Sequence, residues 1–266
     1  MRSELAVSAM LPSRRAKMDG GSEKRTHFEG KALLGGSSEY RGLRIFAPPG
    51  LHARVAEIAR EQFPARARVL DLGAGTGALS MRLADAGFRV TAADLLAENF
   101  QAQEAAQFLS ADLDGEFLIG LEGSFAGIVA VEILEHLEHP RGFLRRIAAL
   151  LAPGGRLIVT TPNPASPVSK ARFLRTGHFQ WFTDEDRRDL GHVSPFTPSM
   201  LRDAIDTAGL RVASLESFGD PRERVNGWWK LLLLARIVAV LARGSGDPPG
   251  DLLVAVAEKP REEART

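Results

Sequence analysis

Short apolar runs alternate with longer helical patterns along most of this chain. The runs have the length of buried strands and fall near residues 67–72, 88–93, 107–110, 125–131, 155–161, 210–217 and 251–258. Helical patterns or loops separate them, and another helical pattern covers Leu51–Phe63. Strands that alternate with helices favour a mostly parallel sheet covered on both faces. The pattern therefore predicts an α/β fold built on a doubly wound, seven-strand sheet.

Two helices in the second half carry boundary signals. Apolar residues at 144, 147, 148 and 151 predict a helix that begins near Pro140 and stops at Pro153–Gly155. A later helix is predicted from Pro198 to Ala208, with Thr197 as its N-cap.

The segment Val69–Gly77 reads Val-Leu-Asp-Leu-Gly-Ala-Gly-Thr-Gly, a strand that breaks into three glycines before a helix. Such a bend lets the backbone approach a ligand without an intervening Cβ. A dinucleotide is one candidate ligand. However, the third glycine comes one residue earlier than in the dinucleotide fingerprint, and the carboxylate of Asp71 would repel a pyrophosphate. The acid instead favours a cationic ligand.

Asp94 ends the second predicted strand about twenty residues after the first glycine. A carboxylate at this place can accept hydrogen bonds from both hydroxyls of a ribose, which predicts a nucleoside contact. The alternative is that Asp94 caps a helix beginning near Leu96.

The run Asp71–Gly77 resembles the first motif of class I S-adenosylmethionine (SAM) methyltransferases, whose cofactor is cationic and lacks phosphate. The segments Val131–Pro140 and Leu151–Leu157 are similar to the small-molecule and quinone-pathway branch of that family, and the likeness covers roughly residues 65–210. It implies a Rossmann-like fold, SAM as cofactor, and a third motif at Gln107–Leu113 that meets the adenine. The implied cofactor-binding residues are Asp71, Gly73, Ala74, Gly75, Gly77, Asp94, Leu95, Asp112, Leu113 and Val131.

The acceptor is less constrained by the sequence. The Asn-Pro-Pro-Tyr or Asp-Pro-Pro-Tyr motif of enzymes that methylate amino groups is missing after the fourth strand, which favours an oxygen or carbon acceptor. The family's common Asp near the start of that strand is replaced by Ala126-Gly127. We expect methyl transfer to a small or lipophilic acceptor, most of all to a hydroxyl oxygen.

Glu132, Glu135 and His136 form a Glu-x-x-Glu-His pattern that would share one face of a helical turn, and a distant His192 could complete a site. The pattern resembles that of quinone-pathway O-methyltransferases and small-RNA 2′-O-methyltransferases, which hold a divalent cation with two Glu and two His. A cation here would lower the pKa of an acceptor hydroxyl. The alternative is an ordinary turn, with His136 or His192 as a general base.

Two further segments are candidates for binding the acceptor. Residues 163–198 contain Phe173, Phe179, Trp181, Phe182 and Phe196. We expect these aromatic side chains either to line an acceptor pocket or to pack a small satellite core. Within the second segment, 219–250, the stretch Trp228–Arg243 is nearly all apolar yet too short to cross a bilayer comfortably. It predicts a packed cap, a dimer contact or peripheral membrane contact.

Composition narrows the remaining function classes. The formal net charge of +1 makes a nucleic-acid partner unexpected, and without cysteine there is no disulfide or thiolate site. Residues 1–35 form a predicted disordered tail without a secretory signal, so we expect a cytoplasmic protein in which residues 36–266 are the methyltransferase domain. Two alternatives stay open: an RNA 2′-O-methyltransferase and a SAM-binding scaffold without turnover. The oligomeric state is not predicted.

Overall fold

The computed structural model describes residues 38–220, 229–242 and 246–261. The predicted tail 1–35 and both ends of the apolar stretch, Trp228 and Arg243, lie outside the described residues. The strands are β1 (Glu39–Tyr40), β2 (Leu43–Arg44), β3 (Arg68–Leu72), β4 (Arg89–Asp94), β5 (Ala106–Ser110), β6 (Phe125–Val131), β7 (Leu151–Pro162), β8 (Arg211–Phe218) and β9 (Leu252–Glu258). The helices are α1 (Leu51–Gln62), α2 (Ala78–Asp85), α3 (Pro140–Leu150), α4 (Pro167–Thr176), α5 (Asp184–Asp189), α6 (Pro198–Thr207) and α7 (Trp229–Leu241).

The main sheet has seven strands in the order β5-β4-β3-β6-β7-β9-β8. The first five are parallel neighbours, whereas β9 runs antiparallel to both β7 and β8. This confirms the predicted doubly wound, mostly parallel sheet. The order reverses direction between β3 and β6, and ligands of open α/β sheets collect at such a switch point.

Helices cover both faces of the sheet because neighbouring strand residues point to opposite sides. Val69 packs in a cluster with residues of α1 and α2, while Leu70 packs in the cluster that holds residues of α3 and α6. A third cluster joins α4 and α7 through Val168, Ala171, Leu231, Ala235 and Val238.

One helix boundary differs from the prediction and another agrees. The stop predicted at Pro153–Gly155 is wrong by three residues, since α3 ends at Leu150 and Leu151 already pairs with Phe125 in the sheet. Strand pairing there overrides the local stop signal. Helix α6 begins after Thr197, whose hydroxyl accepts a hydrogen bond from the amide of Met200 as predicted.

Candidate functional site at the carboxyl edge of the sheet

The loops after β3, β4 and β6 meet at one edge because these strands are parallel neighbours. Leu72 lies opposite Ala93 in one pairing and opposite Ala130 in the other. The amide of Gly73 donates to the carbonyl oxygen of Ala93 at 2.8 Å. The glycine loop, Asp94 and the Glu-x-x-Glu-His segment therefore follow adjacent strand ends.

Asp94 connects the glycine loop to the end of β4. Its Oδ2 accepts a hydrogen bond from the amide of Gly75 at 2.8 Å, and its Oδ1 accepts one from the amide of Leu96 at 3.2 Å. The helix expected near Leu96 is a single 3₁₀ turn over Ala97–Asn99, with Leu96 itself at the N-cap position. Each carboxylate oxygen has a second lone pair, so these bonds leave acceptor capacity for ribose hydroxyls.

The three loop glycines have different surroundings. A Cβ on Gly73 would lie 2.1 Å from the side chain of Ile133, and one on Gly77 would lie 2.5 Å from Ala102. These two glycines allow close packing of the protein itself. A Cβ on Gly75 would have only the Phe46 ring, 3.8 Å away, within contact range. Gly75 therefore has the most open surroundings of the three loop glycines.

Asp71 lies inside the protein on β3, one strand residue before the loop. Ser80 Oγ donates to its Oδ2 at 2.6 Å. Burial raises the pKa of Asp71 to about 7, and the charge of Asp94 acts in the same direction. A cation nearby would favour the ionised form of this carboxyl.

The other predicted cofactor residues are divided between surface and core. Leu95, beside Asp94, is 51% exposed. Asp112 is exposed after β5, and its Oδ1 accepts a hydrogen bond from the amide of Asp114. Ala74, Leu113 and Val131 are buried in the core clusters. Their contacts with a cofactor stay predictions.

The structure brings together Glu135, His136 and His192, which are far apart in sequence. One potential ligand atom from each lies within 4.8 Å of the others. The imidazole rings of His136 and His192 meet edge to face, with centroids 4.7 Å apart. The turn after β6 and the loop after α5 therefore form one cluster of two imidazoles and a carboxyl group.

Glu132 does not share a helical face with this cluster, so that part of the prediction is wrong. Only Leu134–His136 form a turn, of 3₁₀ type, and Glu132 precedes it with a φ of 53°, in the left-handed region. The Oε1 of Glu132 accepts a hydrogen bond from Thr160 Oγ1 at 2.8 Å. The metal role predicted for Glu132 stays a prediction.

Two consecutive threonines at the end of β7 contact the two glutamates separately. Thr160 contacts Glu132, and Thr161 Oγ1 donates to Glu135 Oε2 at 3.0 Å. Successive strand residues point to opposite faces, so the pair separates the two carboxyl groups. Sequence reasoning missed both threonines because strand periodicity alone assigns them to the core.

The electrostatics favour neutral groups in the cluster when no cation is bound. Burial, and to a smaller extent the adjacent His192, lower the pKa of His136 to about 4. Burial also lowers the pKa of His192, although the Trp181 carbonyl opposes this. Burial and the charge of Glu132 raise the pKa of Glu135 well above its ordinary value. Oε1 of Glu135 is buried without a hydrogen-bond partner among the described residues.

The orientation of His192 is set by Trp181. His192 Nδ1 lies 2.8 Å from the Trp181 carbonyl oxygen. A carbonyl only accepts, so Nδ1 carries the hydrogen and Nε2 keeps its lone pair. Trp181 itself has a φ of 71°, a left-handed conformation that its contacts must stabilise.

Asp251 supplies part of that stabilisation, from a loop far along the chain. Its buried Oδ1 accepts hydrogen bonds from Trp181 Nε1 at 3.1 Å and from Gln180 Nε2 at 2.9 Å. No sequence signal connects Asp251 with residue 181, because the contact depends on the antiparallel strand β9 that follows it.

The predicted aromatic residues divide into two groups. The rings of Trp181 and Phe182 lie 6.3 and 5.8 Å from that of His192, beside the cluster. Phe173 and Phe179 stack on each other at 4.5 Å. Phe196 is buried in the main core and not in a separate satellite core.

Comparison with known proteins identifies relatives. Residues 43–215 match the family model described as a methyltransferase domain. The chain is 36% identical over 128 residues to a ubiquinone biosynthesis O-methyltransferase from Xanthomonas axonopodis pv. citri, which covers 42% of this chain and 52% of the relative. The chain thus spans about half the length of the curated relatives it matches.

Solved structures share the fold. A SAM-dependent methyltransferase from Archaeoglobus fulgidus has a TM-score of 0.54 at 19% identity, covering 78% of this chain and 94% of that one. The 1,6-didemethyltoxoflavin-N1-methyltransferase of Burkholderia thailandensis, solved with S-adenosylhomocysteine, has a TM-score of 0.54 at 20% identity and covers 80% of both chains. At these identities the likeness concerns the fold alone.

Proposed function

Because the chain belongs to the methyltransferase domain family, whose model it matches over residues 43–215, we propose that it methylates a hydroxyl oxygen of a small lipophilic acceptor. The relatives named for ubiquinone biosynthesis support an acceptor with a hydroxylated aromatic ring and an apolar tail. The observation that supports this proposal most directly is the Glu135–His136–His192 cluster, which lies at a strand end adjacent to the glycine loop.

The glycine loop and the two strand-end acids suit the cofactor. When bound, SAM supplies a methyl group on a positively charged sulfur. Asp94 accepts hydrogen bonds from the ribose hydroxyls, and Gly75 leaves room for the nucleoside. The carboxylate of Asp71 balances the positive charge of the cofactor. The open space at Gly75 and the free lone pairs of Asp94 support this fit.

The cluster handles the proton that a hydroxyl loses during methylation. His192 presents a neutral Nε2, because Trp181 holds the hydrogen on Nδ1. A neutral imidazole accepts a proton from a phenol or hydroxyl near neutral pH. An amine acceptor needs such a base less, so the fixed tautomer favours an oxygen acceptor.

The same three residues fit a divalent cation. The donor set of two imidazole nitrogens and a carboxylate suits a transition ion or zinc. The Oε1 of Glu135, which has no hydrogen-bond partner among the described residues, supports the fit. The Trp181 carbonyl bonded to His192 supports it as well, since a ligating histidine usually donates its other N–H to such a group. A bound cation would lower the pKa of the acceptor hydroxyl.

A panel of hydroxylated aromatics and their amine analogues tests the proposal, with formation of S-adenosylhomocysteine as the readout. We expect turnover with hydroxyl acceptors only. His192→Gln should lower kcat by about 100-fold or more, with SAM affinity unchanged, while the matched variant His178→Gln keeps full activity. Transfer to amines alone, or full activity of His192→Gln, would contradict the proposal.

Exhaustive chelation separates the two roles of the cluster. If a cation is used, chelation and Glu135→Gln each abolish turnover, cation addition restores the chelated enzyme, and the exposed control Glu138→Gln is unaffected. If turnover survives chelation, the metal role is removed and His192 acts as the base alone.

A further inference from the structure

Helix α7 packs on α4 through a narrow face. Leu231, Ala235 and Val238 are the buried residues of α7, and they meet Val168 and Ala171 of α4. This cluster is distinct from the two clusters that cover the sheet. The two helices therefore form a cap with an apolar cluster of its own.

The outer side of this cap is apolar. We call it the α4–α7 surface, and its exposed apolar members are Phe173, Leu174, Trp229, Leu233, Ile237, Val240 and Leu241. On α7 they recur every three or four residues and form one stripe along the helix. Trp229 is 65% and Leu241 81% exposed. Exposed apolar side chains gathered in a stripe, as on α7, mark contact sites for proteins or membranes.

The polar members of the same two helices have one sign of charge. Lys230 and Arg236 lie exposed on α7, and α4 contributes Arg172 and Arg175, together with Lys170, which pairs with Asp247. Neither helix contains an acidic residue. A shallow groove on α7 combines both properties, being lined by Trp229, Leu232, Leu233 and Arg236.

We propose that the α4–α7 surface docks on an anionic lipid surface. Apolar side chains enter the headgroup boundary while lysine and arginine meet anionic lipid phosphates, which is the chemistry of interfacial helices. A second copy of this chain would place the like-charged helices against each other. Among the described residues no helix is long and apolar enough to cross a bilayer.

The surface is connected to the candidate site through α4. Ser169 Oγ accepts a hydrogen bond from the amide of Gln180 at 3.0 Å, next to Trp181, which orients His192. Lys170 pairs with Asp247 in the loop that leads to Asp251. This inference rests on the proposed lipophilic acceptor, because docking would bring the enzyme to the phase in which such an acceptor dissolves.

Vesicle flotation of the full chain tests the docking. We expect binding to phosphatidylcholine vesicles that contain phosphatidylglycerol and little binding to phosphatidylcholine alone. The double variant Leu233→Ser, Ile237→Ser should lower partitioning about tenfold or more, as should Lys230→Glu with Arg236→Glu. The matched controls on α6, Met200→Ser and Arg202→Glu, keep the wild-type value.

The outcomes that overturn the proposal are distinct from failure of the proposed function. Docking is wrong if the wild type does not float, if the α7 variants float like the wild type, or if they lose only a concentration-dependent dimer. Circular dichroism and turnover with a water-soluble hydroxylated aromatic should be the same in all variants, which shows that they fold. Flotation without turnover on any hydroxylated acceptor would instead refute the proposed activity and leave the docking intact.

Discussion

At the scale of single residues, the candidate cofactor site depends on two carboxyl groups in different environments. Asp94 is partly exposed and bonded to backbone amides of two loops. Asp71 is buried and bonded to Ser80. Asp94 is suited to hold a ligand by hydrogen bonds, whereas the ionisation of Asp71 depends on the charges near it.

Asp94→Ala tests the ribose contact. We expect SAM affinity to fall by about 1–3 kcal/mol, because the hydrogen bonds to the ribose and to the Gly75 amide are both lost. Isothermal titration calorimetry measures the effect, and Glu98→Ala in the following turn is the exposed control. An unchanged affinity would refute the ribose role.

Asp71 predicts a pH dependence of stability. Its pKa is raised from 3.8 to about 7 in the folded protein, so between about pH 4 and pH 7 the folded state keeps a proton that the unfolded state has released. The free energy of unfolding therefore falls as pH rises through this window, and this contribution is complete below it. Urea unfolding at several pH values should show that Asp71→Asn removes this component, whereas the exposed Glu98→Gln retains it. Identical pH profiles for wild type and Asp71→Asn would contradict the assignment.

At the scale of elements, the site depends on contacts between strand ends and loops that are distant in sequence. The loop before β9 places Asp251 against Trp181, and Trp181 orients His192. The end of β7 holds the two glutamates apart. These elements position the cluster without contributing to the chemistry themselves.

Asp251→Ala tests this positioning. Loss of the carboxylate removes the acceptor of two hydrogen bonds and releases the left-handed Trp181, so we expect kcat to fall by about tenfold or more with SAM affinity unchanged. The control Asp247→Ala removes a nearby carboxylate that pairs with Lys170 instead. Equal losses in kcat and SAM affinity would indicate a general structural role.

Gly127 lies near the start of β6, where the resembling family commonly has an acid. A Cβ at this position would lie 2.5 Å from the ring of Phe63 at the end of α1. Gly127→Ala should therefore lower the free energy of unfolding by about 1–3 kcal/mol through overpacking. Gly142→Ala on α3, where a Cβ would have ordinary contacts, is the control that should not destabilise. Chemical denaturation compares the two variants.

At the scale of the whole molecule, the charge distribution distinguishes the two remaining classes of acceptor, a lipophilic small molecule and RNA. A net charge of +1 provides little general attraction for a polyanion, and α4 and α7, whose charged residues are all basic, also carry exposed aliphatic side chains. That combination favours a lipid interface over an RNA backbone.

Competition with RNA tests this conclusion. We expect turnover of a small hydroxylated acceptor to be unaffected by excess structured RNA at low salt, and no ribose methylation to be detected by mass spectrometry. RNA binding that weakens steeply with salt, together with methylated ribose, would support the RNA alternative instead.

The sequence by itself determined the α/β alternation, the seven strands, the glycine loop and the acid at the end of β4. These follow from periodicity and turn chemistry within a few neighbouring residues, so no distant contact is needed to recognise them. It also indicated Glu135, His136 and His192 through a resemblance, but it placed Glu132 on a helical face that does not form.

Only the tertiary structure decided how those residues meet. The approach of His192 to Glu135, the tautomer imposed by Trp181, the support from Asp251 and the contacts of Thr160 and Thr161 all join separate elements. It also distinguished the glycine that leaves open space from the two that pack against side chains. Local sequence encodes local conformation, whereas a site assembled from several strand ends exists only once the sheet has brought them together.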